Sequence, residues 1–373
     1  MDYILKEGWN MQIREVRVIP IDIPFKKAFK IAKGTAEVAR HVLVLIRDKE
    51  GMVGFGEAST MTSYTSEFQE GVIKAVNEYF VPLILNKDTE DILKLRESFD
   101  TVLHDNTYAK AAVEIALFDL LAKEREIPVY KLLGPLRRKE VPVLIAIGQG
   151  DLDSMVKEAE ELVDAGFTTV KVKIGGEPKD DLQKIKAIRN AIGDKIPLRV
   201  DANQGYRRPQ ALSVLPLMEE FGIELVEQPL SRNDMKGAAE LARKLQTPIM
   251  ADESAYNASD VFELASVGAA SIINIKIMKP GGLIGSLQMS EVADAADLTC
   301  IVGSMPEFGV GTAAGIHFAA VAKNIELACE LAGPCMLTGE DIIEEDIRPV
   351  NGVVKLPSGP GLGITLKKEY LDG

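Results

Sequence analysis

The chain has 373 residues, of which 46% are hydrophobic and 27% charged, and 56 acidic against 43 basic side chains give a net charge of −13. This length allows two domains or one large one, and the composition excludes disordered, collagenous and coiled-coil chains. The acidic balance disfavours nucleic acid and anionic membrane surfaces as partners, because both are bound through lysine and arginine. Three cysteines, an odd number without metal-site spacing, exclude a disulfide framework.

The N-terminal residues carry neither the basic nor the apolar region of a signal peptide. No apolar run approaches the roughly 18 residues of a membrane span. We therefore expect a cytoplasmic protein. Strand-like alternation begins only after Met11, so the fold is expected to start there.

Residues 11–136 predict an α+β domain, because strand patterns come first and helical patterns follow. Strands are predicted over Arg14–Ile21, His41–Arg47 and Val53–Glu57, and helices over Phe68–Leu85 and Tyr108–Lys123.

Residues 137–344 repeat a short apolar strand followed by an amphipathic helix. Eight such units predict a (β/α)₈ TIM barrel. The alternative, a doubly wound open sheet, is disfavoured because no glycine-rich turn follows the first strand. The strands are predicted over Val141–Ile147, Thr169–Ile174, Leu198–Asp201, Ile223–Glu227, Pro248–Asp252, Ile272–Lys276, Thr299–Gly303 and Ile325–Glu330.

Charged residues end consecutive strands at nearly constant spacing. Intervals of 28, 26, 25 and 24 residues separate Lys173, Asp201, Glu227, Asp252 and Lys276. The active sites of such barrels lie at the carboxyl ends of the strands, so these side chains should converge. The three carboxylates repel one another unless a cation lies among them, and an oxygen-only ligand set suits Mg²⁺, or Mn²⁺ in its place.

The two flanking lysines come from strands two and six, which are opposite each other in a ring of eight. A lysine next to a cation has a depressed pKa and can act as a base. Lys171 points the same way as Lys173, because side chains alternate along a strand. The arrangement suits removal of a proton from the carbon next to a carboxylate, with a divalent ion stabilising the enediolate.

Other polar residues near the strand ends are expected to support this set or to contact the substrate: Asn203, Glu253, Glu330 and Glu307. The glycine-rich stretch 303–312 allows two interpretations, a phosphate cradle at a helix start or turn geometry with a contact to the substrate carboxylate. None of the three histidines ends a barrel strand, which disfavours a histidine-dependent triad or zinc site.

Several motifs together resemble the muconate-lactonizing-enzyme (muconate cycloisomerase) subgroup of the enolase superfamily. They cover almost the whole chain from Met11. They are Gly54–Ala58, Ala112–Leu120, Lys171–Lys173, Arg199–Asn203, Val226–Pro229, Ala251–Ser254, Ile275–Lys276 and Gly359–Ile364.

The resemblance implies a modified barrel closed by an N-terminal α+β capping domain, with residues 345–373 returning to the cap. It implies Mg²⁺ on Asp201, Glu227 and Asp252, and acid–base work by Lys173 and Lys276. Lys171 is implied to stabilise the substrate carboxylate or to keep Lys173 in the right charge state. Cap loops at 25–34 and 60–67 are implied to set specificity for a small carboxylate substrate. A homo-oligomer is expected.

The resemblance leaves the overall reaction open, because several reactions share the same first half, removal of the proton next to a carboxylate. The lead is a muconate-type cycloisomerase; the alternatives are a racemase or epimerase of N-acyl amino acids or dipeptides, and an o-succinylbenzoate synthase-type dehydratase. Residues 303–307 lack the histidine of the mandelate-racemase subgroup. Ala328–Ala332 lacks the Asp-x-Asp of dipeptide epimerases and looks more like the cycloisomerases. A metal-stabilised binding protein without catalysis is disfavoured by the presence of both lysines and all three acids.

Overall fold

The computed structural model describes residues 12–32 and 34–372. Its N-terminal part begins with a three-stranded antiparallel sheet in the order β1-β2-β3, formed by β1 (Ile13–Ile31), β2 (Gly34–Asp48) and β3 (Val53–Thr60). The three predicted strands are confirmed, and all three continue further than their sequence patterns indicate. The predicted start at Met11 lies outside the described residues.

Helices pack on one face of this sheet, and the sheet and helices together form the cap. The predicted helix over 68–85 is present, with a π-helical turn in its middle, whereas α3 was not predicted from the sequence. The helical segments are α1 (Gln69–Ala75), a π turn (Val76–Phe80), α2 (Val81–Ile84), a 3₁₀ turn (Thr89–Asp91), α3 (Ile92–Val102), α4 (Thr107–Glu124) and α5 (Tyr130–Leu133).

The cap sheet lies directly on α4, which is buried on almost every face. A Cβ atom on Gly56 would lie 1.8 Å from the carbonyl oxygen of Ala112, and one on Gly54 would lie 2.2 Å from that of Ala116. Only glycine therefore allows this approach of strand to helix, which explains both glycines of the 54–58 motif.

The barrel contains seven parallel strands in the order β11-β10-β9-β8-β7-β6-β5, each followed by a helix. The strands are β5 (Ala146–Ile147), β6 (Val170–Lys173), β7 (Leu198–Asp201), β8 (Ile223–Glu227), β9 (Ile249–Ala251), β10 (Ile272–Ile275) and β11 (Thr299–Val302). The helices are α6 (Leu152–Asp164), α7 (Pro178–Ile192), α8 (Arg208–Met218) with a 3₁₀ turn (Glu219–Phe221), α9 (Met235–Lys244), α10 (Ala258–Val267), α11 (Leu283–Ala295) and α12 (Gly309–Val321).

The prediction of one strand over 141–147 is wrong in detail. Its first part is β4 (Glu140–Pro142), which pairs antiparallel with β12 (Val353–Lys355) outside the barrel sheet. Only β5 joins the parallel ladder, through two residues.

The prediction of a regular eighth strand over 325–330 is also wrong, although the segment occupies that place. It closes the ring through isolated parallel bridges, Cys300 to Ile325 and Val143 to Cys329. Side chains take up part of the ladder: Arg199 Nη1 donates to the Ala328 carbonyl oxygen at 2.7 Å, and the Val302 N–H donates to Cys329 Sγ at 3.3 Å. These side-chain partners stand beside separate backbone bonds, such as the one from the Glu330 N–H to the Val302 carbonyl oxygen at 2.8 Å, and no continuous ladder forms over 325–330.

The C-terminal segment returns to the cap, as expected. After a 3₁₀ turn (Gly333–Met336) and β12, the Leu362 N–H donates to Asp119 Oδ1 of α4 at 2.7 Å, and the Val129 N–H donates to the Gly361 carbonyl oxygen at 2.8 Å. A short helix, α13 (Lys368–Asp372), ends the described chain. None of the described helices combines the length and the apolar character that crossing a membrane requires.

Candidate active site

Four predicted residues meet at the carboxyl ends of β6, β7 and β8. Lys171 Nζ lies 3.0 Å from Asp201 Oδ2, 2.5 Å from Glu227 Oε2 and 2.5 Å from Glu330 Oε1. Lys173 Nζ donates to the same Asp201 oxygen at 2.6 Å. The parallel register of these strands, which pairs Lys173 with Asp201 and Asp201 with Glu227, brings the side chains to one level.

Asp252 organises the other half of the site. Its Oδ2 accepts from Lys276 Nζ at 2.9 Å, and its Oδ1 accepts from Lys279 Nζ at 2.9 Å and from the Tyr64 hydroxyl at 2.7 Å. Lys276 Nζ also lies 4.1 Å from the centroid of the Tyr64 ring, within cation–π range. Tyr64 belongs to the cap, so a cap side chain contacts a predicted metal ligand directly.

Lys173 and Lys276 line one cavity between barrel and cap. Polar groups, among them Asn203 and Glu330, form one side of it, and apolar side chains form the rest. The apolar part of the wall includes Ile31, Met61, Leu144, Ile145, Met305 and Met336. Such walls exclude water and strengthen the electrostatic interactions of the charged groups.

The buried charges shift one another's pKa values. Burial alone would lower the pKa of Lys276, but nearby carboxylates, led by Asp252, outweigh it and raise that pKa. The pKa of Lys171 is raised in the same way, with Asp201 as the strongest opposing charge. The expected low pKa of a lysine base required a divalent cation beside it; pairing with carboxylates moves the pKa upward instead.

The carboxyl groups respond in opposite directions. Burial would raise the pKa of Asp201, but the ammonium groups of Lys171 and Lys173 outweigh it and lower that pKa to about 2. Burial and the charge of Asp201 raise the pKa of Glu227 well above its usual value. The charge of Asp201 is therefore well compensated by the two lysines, while Glu227 needs further positive charge to stay ionised.

The donor chemistry fits Mg²⁺, although the side chains do not form a metal cage as placed. Within residues 12–32 and 34–372, no three acidic, histidine or cysteine side chains are arranged to hold a metal ion. The Lys171 ammonium lies between Asp201 and Glu227, where it partly neutralises them. Buried carboxylates need a well-bonded cationic partner, and Glu227 Oε2 lies 2.5 Å from Lys171 Nζ but outside hydrogen-bond geometry. A divalent ion would supply that partner once the flexible lysine moves aside.

The supporting residues from the prediction surround this set at different distances. Glu330 contacts Lys171 directly, and Asn203 Nδ2 donates to Glu253 Oε1 at 3.2 Å. Burial and the charges of Asp252 and Asp201 raise the pKa of Glu253 to about 7. Glu253 thus lies beside the carboxylates rather than among them, and its supporting role stays a prediction.

Backbone N–H groups in and after the loop that follows β11 donate to the protein's own carboxylates. Glu57 of the cap accepts from the N–H groups of Phe308 at 2.8 Å and Gly311 at 2.7 Å, and Glu307 accepts from the Met305 N–H at 2.8 Å. Glu307 thus faces its own loop and holds residues that line the cavity. The Phe308, Gly309 and Gly311 N–H groups that a phosphate cradle would need at the start of α12 are already used, which favours turn geometry for 303–312, and a contact of this stretch to the substrate carboxylate stays a prediction.

Two important residues were missed from the sequence. Lys279 is fully buried and donates to the backbone carbonyls of Asp252 and Asn274, both at 2.8 Å, as well as to the Asp252 carboxylate. Asn274 donates from Nδ2 to Glu227 Oε1 at 2.9 Å. Alternation along β10 is a signal that could have revealed Asn274, because this residue lies two positions before Lys276 on the same face. No periodic pattern indicated Lys279, which follows the strand in a turn.

Comparison with known proteins agrees with this architecture. A mandelate racemase/muconate lactonizing enzyme N-terminal domain model matches residues 13–134, and an enolase C-terminal domain-like model matches residues 154–370. Cap, barrel and charged strand ends thus define an enolase-type two-domain enzyme. The chain belongs to the enolase superfamily, within its muconate-lactonizing-enzyme subgroup, and its named relatives are isomerases.

Three similar proteins illustrate the range of reactions. L-Ala-D/L-Glu epimerase of Clostridium acetobutylicum is 35% identical over 357 residues, which covers 95% of this chain and 99% of the epimerase. Muconate lactonizing enzyme of Pseudomonas fluorescens, solved with muconolactone, has a TM-score of 0.94 at 34% identity and covers 97% of this chain and 98% of its own. Dipeptide epimerase of Enterococcus faecalis, solved with Mg and L-Leu-L-Tyr, has a TM-score of 0.90 at 34% identity, covering 95% of this chain and 100% of its own.

Proposed function

We propose that this enzyme uses Mg²⁺ on Asp201, Glu227 and Asp252, with Lys173 and Lys276 transferring protons at the carbon next to a substrate carboxylate. The observation that carries the proposal is the position of the two lysines. They extend from opposite sides of the barrel into one cavity, and each is bonded to a proposed metal ligand.

The chain's own residues divide the remaining work. When bound, the ion supplies positive charge that stabilises an enediolate oxyanion. Lys171, paired with Glu330, keeps a positive charge beside that place, because surrounding carboxylates favour its ammonium form. Tyr64 covers the site from the cap and holds Asp252 in position. The apolar walls orient the rest of the substrate and keep water away from the reacting carbon.

Within this chemistry, the cycloisomerase reaction is our lead. Glu330 is bonded to Lys171, so this carboxylate on the eighth segment is engaged and is not free to bind a substrate ammonium. A muconolactone has no ammonium group, and its short hydrocarbon frame suits apolar walls. In the lactone-opening direction, a lysine Nζ takes the proton next to the carboxylate, and the resulting enolate expels the ring oxygen as the second carboxylate.

A second candidate is racemisation or epimerisation of an amino acid derivative whose amino group is acylated. The observation that favours it is the opposition of Lys173 and Lys276, because a 1,1-proton transfer needs a base on each face of the planar enediolate. The similarity to epimerases supports this candidate as well.

Deuterium exchange in D₂O, followed by NMR and mass spectrometry, separates the two candidates. Muconolactone, N-succinyl amino acids and dipeptides are incubated with the wild type, Lys173→Ala and Lys276→Ala. Loss of a general acid or base should slow turnover by about 10²–10⁴-fold. A racemase should leave each variant able to exchange one enantiomer only. A cycloisomerase should exchange the lactone, and one of the two lysines should govern which proton exchanges.

Lys186→Ala is the matched control, because Lys186 is an exposed lysine of α7, outside the cavity. It should keep full exchange. If Lys173→Ala and Lys276→Ala also kept full exchange with every substrate that the wild type accepts, neither lysine would be the base and the mechanism would be wrong.

A further inference from the structure

A second and larger cavity lies beside the catalytic cavity, on the other side of Tyr64. It has a volume of about 620 Å³, and Tyr64 lines both cavities. The Tyr64 hydroxyl donates to Asp252 Oδ1 at 2.7 Å, so this side chain separates the outer cavity from the proposed metal ligands.

Acidic side chains outnumber basic ones in the wall of this outer cavity. Two of them, Asp105 and Glu263, are exposed and have no ion-pair partner among the described residues. Arg232 is the one basic side chain among its lining residues. The carboxyl-bearing lining residues are Glu67, Asp105, Glu253, Asp260 and Glu263. A cleft with this charge balance concentrates cations and repels carboxylates.

Glu253 lies deepest in this wall. Its side chain is only 4% exposed, and although Oε1 accepts from Asn203, Oε2 has no hydrogen-bond partner among the described residues. A buried, unpartnered carboxylate oxygen in the wall of an open cavity is a ligand available to a cation. Glu253 also adjoins Asp252 in sequence, so it stands between the exposed acids and the metal ligands.

The opposite side of the catalytic cavity has a balanced charge. A third cavity, of about 470 Å³, shares Ile145, Ala146 and Met336 with the catalytic cavity and is lined by two lysines and two glutamates, of which Lys27 and Glu158 form an ion pair at 2.9 Å. This side repels a carboxylate substrate less than the acidic cavity does.

We propose that the acidic cavity is the loading path for the divalent cation, with Glu253 as a transient ligand and Tyr64 as the side chain that moves to admit the ion. The ion and the carboxylate substrate then reach the site from opposite sides. This inference rests on the proposed Mg²⁺-dependent function.

The test follows binding of Mn²⁺, as a spectroscopic substitute for Mg²⁺, to the metal-free full chain by stopped-flow and freeze-quench EPR. Asp105→Asn/Glu263→Gln should lower the association rate constant by about threefold to tenfold at low ionic strength, and high salt should remove the difference. Both residues are exposed, so folding should not change. Glu253→Gln should slow association and dissociation together.

Glu158→Gln is the matched control, since it removes one carboxylate from the charge-balanced cavity on the other side. It should leave the association rate unchanged. Unchanged rates in the Asp105/Glu263 and Glu253 variants, or an equal slowing by the control, would overturn the loading path alone. If the wild type bound no Mn²⁺, the proposed metal function would fail together with the loading path.

Discussion

The wild type should lose part of its free energy of unfolding as the pH falls, because His317 is buried in its neutral form. Replacing His317 by glutamine should remove this loss. His317 is fully buried on α12, where Nδ1 accepts from the Tyr130 N–H at 3.2 Å and Nε2 lies 3.1 Å from the Leu362 carbonyl oxygen. The neutral ring with its proton on Nε2 satisfies both partners. A second proton on Nδ1 would oppose the Tyr130 N–H, and burial of the charged ring lowers the pKa of His317 from 6.5 to about 4.

The sign and size of the effect follow from proton linkage. Between pH 6.5 and about 4 the unfolded chain binds a proton at His317 that the folded chain does not, so stability falls as pH falls. At about 1.36 kcal/mol per pH unit, the interval corresponds to roughly 3 kcal/mol, complete below pH 4. Above pH 6.5 both states are neutral at this residue, and the contribution is fully present.

The assay is urea denaturation at pH 7.5, 6, 5 and 4, comparing wild type with His317→Gln. The difference between the two proteins is the relevant quantity, because Glu114 and Glu124, whose pKa values burial raises to about 7, give the wild type an opposing slope. Glutamine retains a donor for Leu362 but does not titrate. The free energies of unfolding should therefore converge as pH falls. Parallel curves over the whole range would refute this account of His317.

Three further predictions concern the site and its frame. Asp201→Asn, Glu227→Gln and Asp252→Asn should each abolish Mg²⁺-dependent turnover while circular dichroism shows a folded barrel; undiminished wild-type turnover in EDTA would contradict the metal assignment. Exchanging residues 60–63 for those of a relative, with Tyr64 kept because it bonds to Asp252, should change kcat/KM among substrates and leave Mn²⁺ affinity nearly intact; loss of metal binding would instead place the loop in the metal site. Arg199→Met leaves the Glu224 carboxylate of β8 and the Ala328 carbonyl of the eighth segment without this partner and should cost about 3–5 kcal/mol in urea denaturation, whereas a cost below 1 kcal/mol would show that the guanidinium does not hold the eighth segment.

The residues at the strand ends could be predicted because a parallel barrel repeats one geometry. Lys173, Asp201 and Glu227 lie in register, and Asp252 directly follows β9, so the spacing of the four alone indicated that they meet. Lys279 could not be predicted this way, because it follows β10 in a turn whose path depends on the backbone carbonyls that it binds.

The first and last strands of the barrel were predicted less well than the strands between them. The apolar pattern over 325–330 is that of a strand, but Arg199 and Cys329 supply bonds that the ladder would otherwise make. The Arg199 bond joins residues 129 positions apart and the Cys329 bond joins residues 27 positions apart, so local pattern cannot reveal them. The role of Glu57 was hidden for the same reason, since its partners Phe308 and Gly311 lie at the start of α12, about 250 residues away in the chain.

The complete burial of α12 has a consequence for how the two parts of the chain can be exchanged or separated. Each of its 13 residues is buried, its sides are covered partly by β3 and α5, and its first N–H groups bond to the cap carboxylate of Glu57. A barrel released from its cap would expose an apolar helix and leave those N–H groups without partners. Cap and barrel should therefore unfold in a single transition, and a chimera that recombines specificity loops with another barrel has to move β3 together with the helix it covers.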